Sequence, residues 1–268
     1  MFENNTFIDN SLTDRSLSIA LVGCGGTGSF LVDELIALDT ALKALDPHNA
    51  LTVTLYDPST VTQANLVRQK FFPTQIGMNK AEALAWTANN LHGKSFSYKA
   101  DAFDPKIHRA HNIIITALDK PSTRLNLYNE LLNQTHRFWL DCGNDDQSGN
   151  VVLGELGFKK EGVRLPTVCD FFDYSTLSDA DSEIKSCSAL ESLTRQKLGV
   201  NATCARIAGQ VLFNLVINGS LKNNGAIFDI EDLSVSPLEI GGNEWDCLLS
   251  ETYEQDEIER KAKIKAKN

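Results

Sequence analysis

The chain has 268 residues, of which 42% are hydrophobic and 22% are charged, a composition typical of a globular protein with a sizeable core. Its net charge of −10 disfavours broad contact with a nucleic-acid backbone, because phosphate neutralisation needs a basic face. The longest apolar run, from Ile207 to Ile217, is too short to cross a bilayer. We therefore expect neither nucleic acid nor a membrane among the partners.

The N-terminal end lacks the basic and apolar regions of a secretory signal. The six cysteines are widely scattered, which favours free thiols over a disulfide framework. Together these features predict a cytoplasmic protein.

Apolar runs that resemble strands recur along the chain, with helix-like segments between several of them. We predict strands over residues 18–22, 51–56, 96–100, 112–117, 137–141 and 151–156, and helices over 27–45, 80–91, 121–132, 188–198 and 204–221. This alternation predicts a Rossmann-like α/β fold, with a largely parallel sheet and helices on both faces. We expect residues 142–150 and 157–187 to be irregular.

Two regions follow from this pattern. Residues 1–250 form one nucleotide-binding domain, and residues 251–268 form a charged C-terminal tail. Because the tail is dense in both charges and poor in apolar residues, we expect a solvated helix or a frayed end rather than a partner-binding arm.

A glycine-rich loop follows the first long strand. Gly23, Gly25 and Gly28 satisfy the G-x-G-x-x-G pattern directly after that apolar run. Glycines at these positions allow a tight turn, close approach of phosphate to the backbone, and a helix N-terminus that favours negative charge. At this point both a dinucleotide and ATP fit the loop.

An acidic residue and a group of cations and amides follow the second long strand. Asp57 ends that strand, where a carboxylate can accept hydrogen bonds from ribose hydroxyls. The residues downstream of it are Asn65, Arg68, Gln69 and Lys80. Two cations and two amides suit a triphosphate better than a diphosphate, which favours ATP. An NAD-dependent oxidoreductase stays open as an alternative, although no obvious acid or base for hydride transfer accompanies the loop.

These motifs carry a family resemblance over residues 17–240. "GCGGTG", "YDPSTVTQANLVRQ" and "MNKAEA" resemble the ThiF/MoeB/ubiquitin-activating-enzyme superfamily of adenylyltransferases. The segment "SCSALESLTRQKLGVNATCARIAGQVLFNL" is similar to the ThiF-family proteins of plasmid-borne PRTRC cassettes. The resemblance implies a ThiF/MoeB-like fold and an enzyme that uses ATP and Mg²⁺.

The resemblance also implies roles for individual residues. The loop glycines, including Gly25 and Gly26, would lie under the phosphates, and Asp57 would hold the ribose. The residues that would bind the triphosphate are Asn65, Arg68, Gln69 and Lys80. Asp119 matches the aspartate that positions magnesium, and Arg124 matches the arginine that follows it. Each of these charged residues could instead be an ordinary surface or capping residue.

Cys187 is a candidate nucleophile. It directly precedes Ser188, the predicted capping residue of a helix, where free N–H groups and the helix dipole lower a thiol pKa. The resemblance implies that this position could accept an activated carboxylate as a thioester. A thiol buried for packing is an equally plain interpretation.

The resemblance further implies the partners and leaves several functions open. The expected partner is a small ubiquitin-like or sulfur-carrier-like protein, with a conjugating enzyme as a further partner and a homodimer as the assembly. Arg15 is the residue available to reach across such a dimer. The alternatives are activation of another carboxylate or carbonyl, as in a peptide terminus or a tRNA base, and a non-catalytic nucleotide-binding scaffold.

Overall fold

The computed structural model describes residues 6–8, 12, 16–108, 110–159, 162–177, 179 and 196–266. Its centre is an eight-stranded sheet with the order β10-β9-β7-β6-β5-β2-β3-β4. The strands of this sheet are β2 (Leu17–Val22), β3 (Leu51–Tyr56), β4 (Ser97–Lys99), β5 (Ile113–Thr116), β6 (Arg137–Asn144), β7 (Ser148–Leu156), β9 (Asn223–Asp229) and β10 (Ser234–Glu239). A separate pair joins β1 (Phe7–Ile8) to β8 (Ser220–Leu221).

The half of the sheet from β4 to β6 is parallel, and the half from β6 to β10 is antiparallel. Strands β2 and β5 are mostly apolar, and all their residues except Ser18 are buried, as expected for parallel strands covered on both faces. The carboxyl ends of β2, β3, β5 and β6 therefore meet at one edge, where open α/β sheets bind ligands. This arrangement confirms the predicted α/β fold.

The helices are α1 (Gly26–Leu45), α2 (Lys80–His92), α3 (Pro121–Leu131), α4 (Val168–Phe171), α5 (Val200–Ile217), α6 (Asn243–Leu248) and α7 (Tyr253–Lys265). Right-handed crossovers place α1 and α2 on one face and α3, which connects strands in the opposite direction, on the other. Helix α5 packs against α1, β6, β7 and β9. By length and composition alone α5 could cross a membrane, yet half of it is buried inside the protein, as in a core helix.

Several predicted boundaries are wrong. Residues 142–150 form a tight hairpin, because β6 and β7 pair antiparallel from Asn144 and Gly149 outward. Helix α5 begins at Val200, after Gly199 with a φ of +98°, and ends at Ile217, so that the predicted helical residues 218–221 include β8 instead. The β9–β10 hairpin was not predicted. Residues 188–195 of the predicted helix 188–198 lie outside the described residues, and 196–199 lead into α5 as a bend and a turn.

The charged C-terminal segment is a helix, which was one of the two predicted forms. It is attached to the rest of the protein rather than fully solvated. Glu257 of α7 is only 4% exposed. Its Oε1 lies 2.9 Å from Nε of the buried Arg164, a close ion contact whose alignment falls short of a hydrogen bond. Arg260 donates to Glu257 and, at 2.9 Å, to the carbonyl of Leu132. Buried ionic contacts of this kind cannot be inferred from a polar composition.

Candidate nucleotide site

The glycine loop after β2 fits tightly against the neighbouring loop. Gly23 has a φ of +92°, and a Cβ at this position would lie 2.3 Å from the carbonyl oxygen of Ala117. A Cβ on Gly28 would lie 1.9 Å from the carbonyl oxygen of Gly23. Any side chain at these positions would therefore push the loop away from the strand end. The contact with Ala117 also brings Asp119 to the same sheet edge.

Gly25 and Gly26 differ in what they face. The atom nearest to a Cβ on Gly25 is Nε2 of Gln69 at 3.9 Å, so the space beside Gly25 is open to a ligand. A Cβ on Gly26 would lie 2.5 Å from Oδ1 of Asn201, so Gly26 is needed for packing against α5. The carbonyl of Gly25 accepts the first helical hydrogen bond, from Ser29 N at 3.0 Å. The three preceding N–H groups therefore have no acceptor within α1, which suits an anion.

Asp57 is held rigidly beside the loop. Asp57 is 6% exposed. Its carboxylate accepts hydrogen bonds from Cys24 N through Oδ2 and from Ser59 N through Oδ1, both at 2.7 Å. Each carboxylate oxygen has a further lone pair that can accept a hydroxyl. The geometry is compatible with the predicted ribose contact.

Lys80 is the first residue of α2, and Asn79 fixes where that helix begins. Asn79 Oδ1 caps the helix by accepting from Glu82 N at 3.1 Å, while Nδ2 donates to the carbonyl of Asp57 at 2.7 Å. Asp57 and Lys80 both act electrostatically on Cys24 of the glycine loop. Burial raises the pKa of the Cys24 thiol well above its usual range, Asp57 raises it further, and Lys80 lowers it. Cys24 is thus a packed thiol beside a carboxylate and an ammonium.

A 3₁₀ helix over Gln63–Val67 and the residues directly after it carry the other predicted contacts. Oδ1 of Asn65 caps this turn by accepting from Thr62 N at 2.9 Å, which leaves its Nδ2 as the atom suited to a phosphate. The segment is tied to α1, because Lys70 N donates to Ser29 Oγ at 3.0 Å. Arg68 Nη1 donates to Gln196 Oε1 at 2.5 Å. Oε1 of Gln69 is buried without a hydrogen-bond partner.

Asp119 and Arg124 have different environments. Asp119 is exposed in the loop between β5 and α3, where its carboxylate is accessible to a cation. Arg124 is 4% exposed, and its Nε donates to both oxygens of the buried Asp141 at 2.9 Å. Asp141 also accepts from Thr116 Oγ1 at 2.5 Å. Arg124 is therefore a buried anchor of α3 on the sheet rather than an open phosphate ligand.

Some residues of the site were missed in the sequence. Asn79 had a readable signal, because Asn followed three residues later by Glu marks a helix start. Asp141 had a weaker one, an acid at the end of an otherwise apolar strand. Gln196 and Asn201 had none, because they reach the site from residues far along the chain. The candidates Cys187 and Arg15, and the capping residue Ser188, lie outside the described residues.

The donor set fits ATP with a magnesium ion. Within the described residues no group of three His, Cys, Asp or Glu side chains could by itself hold a metal. Mg²⁺ typically binds through one or two carboxylates together with substrate phosphates, so a single aspartate at this edge is a suitable protein ligand. Asp119 is the residue that would supply it.

Known proteins share the sequence pattern and the fold of this chain. The ThiF family model matches residues 10–220. The chain belongs to the ThiF family. It is 27% identical over 167 residues to ubiquitin-like modifier-activating enzyme 5 of Oryza sativa subsp. japonica, an alignment that covers 54% of this chain and 37% of that protein. The chain thus spans little more than a third of that relative's length.

Solved structures share the fold. PaaA superposes with a TM-score of 0.57 at 15% identity, over 85% of this chain and 65% of PaaA. Escherichia coli MccB with ATP superposes with a TM-score of 0.54 at 16% identity, over 85% of this chain and 64% of MccB. At these identities the superpositions show the fold alone. The resemblance to the superfamily is confirmed, and the finer resemblance to the PRTRC group stays a prediction.

Proposed function

We propose that this protein is an ATP-dependent adenylyltransferase that activates the C-terminal carboxylate of a small protein or peptide. The observation that supports this best is the arrangement at one sheet edge, where the open side of Gly25 and the N–H groups of α1 are flanked by Arg68 and Lys80. Free helix donors with two cations suit the charge of a triphosphate. A nucleotide-binding scaffold without catalysis would be free to lose these charges, and here they are present.

The chemistry requires positioning and charge stabilisation. A C-terminal carboxylate has a pKa of about 3.5 and is already ionised at neutral pH, so its attack needs no general base. ATP supplies the α-phosphorus that the carboxylate oxygen attacks and the pyrophosphate that leaves with the electrons of the broken P–O bond. Arg68 and Lys80 would stabilise the charge on that leaving group, and Asp119 would hold Mg²⁺ against the phosphates.

For the partner, we propose a small ubiquitin-like or sulfur-carrier-like protein, in line with the name of the rice relative. A peptide is the second candidate, because MccB has been solved in complex with N-formylated MccA. A homodimer, a conjugating enzyme as further partner, and a cytoplasmic location belong to the same proposal.

The test is to incubate the protein with Mg-ATP and candidate small proteins that end in glycine, and to measure the adenylated partner by mass spectrometry. A partner with its terminal carboxylate amidated is the matched control, because it differs only in the reacting group. The proposal expects an added AMP on the free carboxylate and none on the amide. AMP release that is the same with both partners would contradict it.

We further propose that Cys187 accepts the activated carboxylate, with the thiolate attacking the carbonyl carbon and AMP leaving. Among the described cysteines, burial raises the pKa of the Cys24 and Cys169 thiols. A hydrogen bond between the Cys142 and Cys204 thiols, followed by burial, raises the pKa of Cys142. These three are poor nucleophiles. A conjugate that is sensitive to thiols should form in the wild type and disappear in Cys187→Ala, measured on gels run without reductant. A conjugate that persists in Cys187→Ala assigns the thioester to another residue.

A further inference from the structure

Asn201, at the start of α5, and Gln196, which precedes α5, connect separate parts of the nucleotide site through hydrogen bonds. Asn201 is 5% exposed, and its Oδ1 accepts from Thr27 Oγ1 at 3.1 Å and from Asn144 Nδ2 at 2.9 Å. Its Nδ2 donates to Gln196 Oε1 at 2.9 Å. The same Gln196 oxygen accepts from Arg68 Nη1 at 2.5 Å. One chain of hydrogen bonds therefore runs from the first turn of α1 to the guanidinium of Arg68.

We infer that Gln196 and Asn201 are positioning residues that hold Arg68 and the glycine loop in the geometry that ATP requires. This inference rests on the proposed function. It gives a role to the buried amide of Asn201, which α5 does not need for its apolar packing. Burial of an amide is unfavourable unless its hydrogen bonds are made, and here they are made to residues of the nucleotide site.

The position of Asn201 relative to Gly26 supports the assignment. A Cβ on Gly26 would lie 2.5 Å from Oδ1 of Asn201, so the amide packs directly on the backbone of the loop. The loop is thus held between Ala117 on one side and Asn201 on the other. A loop with two such contacts keeps its N–H groups aligned for phosphate, which is the meaning of preorganisation.

The chemical type of the partner of Arg68 is the second support. An arginine side chain loses conformational entropy when it is fixed, and a hydrogen-bond acceptor placed in advance reduces that loss on binding. A carboxylate would do this too, but it would neutralise the guanidinium. Gln196 is neutral, as are Asn201, Asn144 and Thr27. The network therefore orients Arg68 without itself placing a negative charge beside the guanidinium.

The experiment is a double-mutant cycle on Mg-ATP affinity, measured by calorimetry on the full chain. We expect Gln196→Ala to weaken binding about tenfold, and to weaken it less than about twofold in an Arg68→Ala background, because the residue acts through Arg68. Gln196→Glu should bind ATP more weakly than Gln196→Ala at low salt, since it keeps the acceptor and adds a negative charge. Equal losses in both backgrounds, or tighter binding by Gln196→Glu, would overturn the inference.

Asn224→Ala separates positioning from general loss of stability. Asn224 is a fully buried asparagine of β9 whose amide donates to the carbonyl of Leu153 at 3.0 Å and accepts from Trp245 Nε1 at 3.1 Å. It should lower the melting temperature as Asn201→Ala does, while ATP affinity falls in Asn201→Ala alone. Equal loss of affinity in both variants would show a merely structural role.

Calorimetry also keeps this inference separate from the proposed function, because it needs no partner protein. A wild type that binds Mg-ATP but adenylates no partner would contradict the proposed function, and the cycle would still decide the role of Gln196. A wild type that does not bind Mg-ATP would overturn both.

Discussion

Replacement of Glu257 by alanine measures how firmly the charged C-terminal helix is attached. Glu257 is 4% exposed and lies between two arginines, with Oε1 at 2.9 Å from Arg164 Nε and Oε2 at 2.8 Å from Arg260 Nη2. Removing one partner of a buried ion pair costs roughly 3–5 kcal/mol, because it leaves a buried charge uncompensated. Arg164 keeps Asp170, at 2.6 Å, so the lower end of that range applies.

We therefore expect Glu257→Ala to lower the free energy of unfolding by about 3 kcal/mol. For a chain of this size that corresponds to a fall in melting temperature of roughly 6–12 °C. Glu257→Gln keeps the shape and an acceptor oxygen, and should lose less. The measurement is thermal unfolding followed by circular dichroism.

Glu259→Ala is the matched control, because it removes the same charge from an exposed position on the same helix. Surface substitutions of this kind usually change stability by less than about 0.5 kcal/mol. If Glu257→Ala and Glu259→Ala melt at the same temperature, α7 is a solvated tail, as its composition suggests, and the buried ion contact does not stabilise the fold.

The remaining predictions concern the site and the buried carboxylate of Asp170. Arg68→Ala and Asp119→Ala should each reduce the rate of adenylation on the order of 100-fold and leave the melting temperature unchanged. Lys70→Ala, at an exposed neighbouring position, should leave the rate unchanged. Unchanged rates in Arg68→Ala and Asp119→Ala would show that these two residues are ordinary surface charges. Mg-ATP should bind more tightly than NAD in calorimetry, and the reverse order would contradict the adenylation proposal. Burial acts to raise the pKa of Asp170, but the charge of Arg164 outweighs it and holds that pKa below its usual range. The ionised Asp170 carboxylate therefore stabilises the fold above about pH 4, and this contribution is lost as the pH falls further. In thermal unfolding at acid pH, the difference in melting temperature between the wild type and Asp170→Asn should become smaller. A difference that stays constant with pH would contradict this.

The parallel half of the fold could be predicted from the sequence because its signals are local. The strands that lead to the glycine loop and to Asp57 are continuous apolar runs, and glycine spacing marks the loop between strand and helix. The antiparallel half was harder. Residues 142–150 contain Gly, Asn, Asp and Ser, which indicate a turn or an irregular loop equally well, and only cross-strand pairing distinguishes a hairpin.

The charged residues of the site could be predicted from the sequence, but the residues that position them could not. Arg68 and Lys80 follow Asp57 within one stretch of sequence, where a spacing can be recognised. Gln196 and Asn201 come from the other end of the chain, and their hydrogen bonds are a property of the folded structure. The burial of Glu257 likewise depends on Arg164, almost a hundred residues earlier, so that no local pattern contains it.

The most direct test of the account is exchange of labelled pyrophosphate into ATP, catalysed by the purified protein with Mg²⁺ and a small protein that ends in glycine. Exchange requires that the carboxylate attack the α-phosphorus reversibly, so it reports the proposed reaction rather than ATP binding alone. We expect exchange that depends on the free C-terminal carboxylate and is lost in Arg68→Ala. The contrary result is a wild-type protein that binds ATP and forms a stable complex with the small protein, yet exchanges pyrophosphate no faster than Arg68→Ala. That result would contradict the proposed reaction.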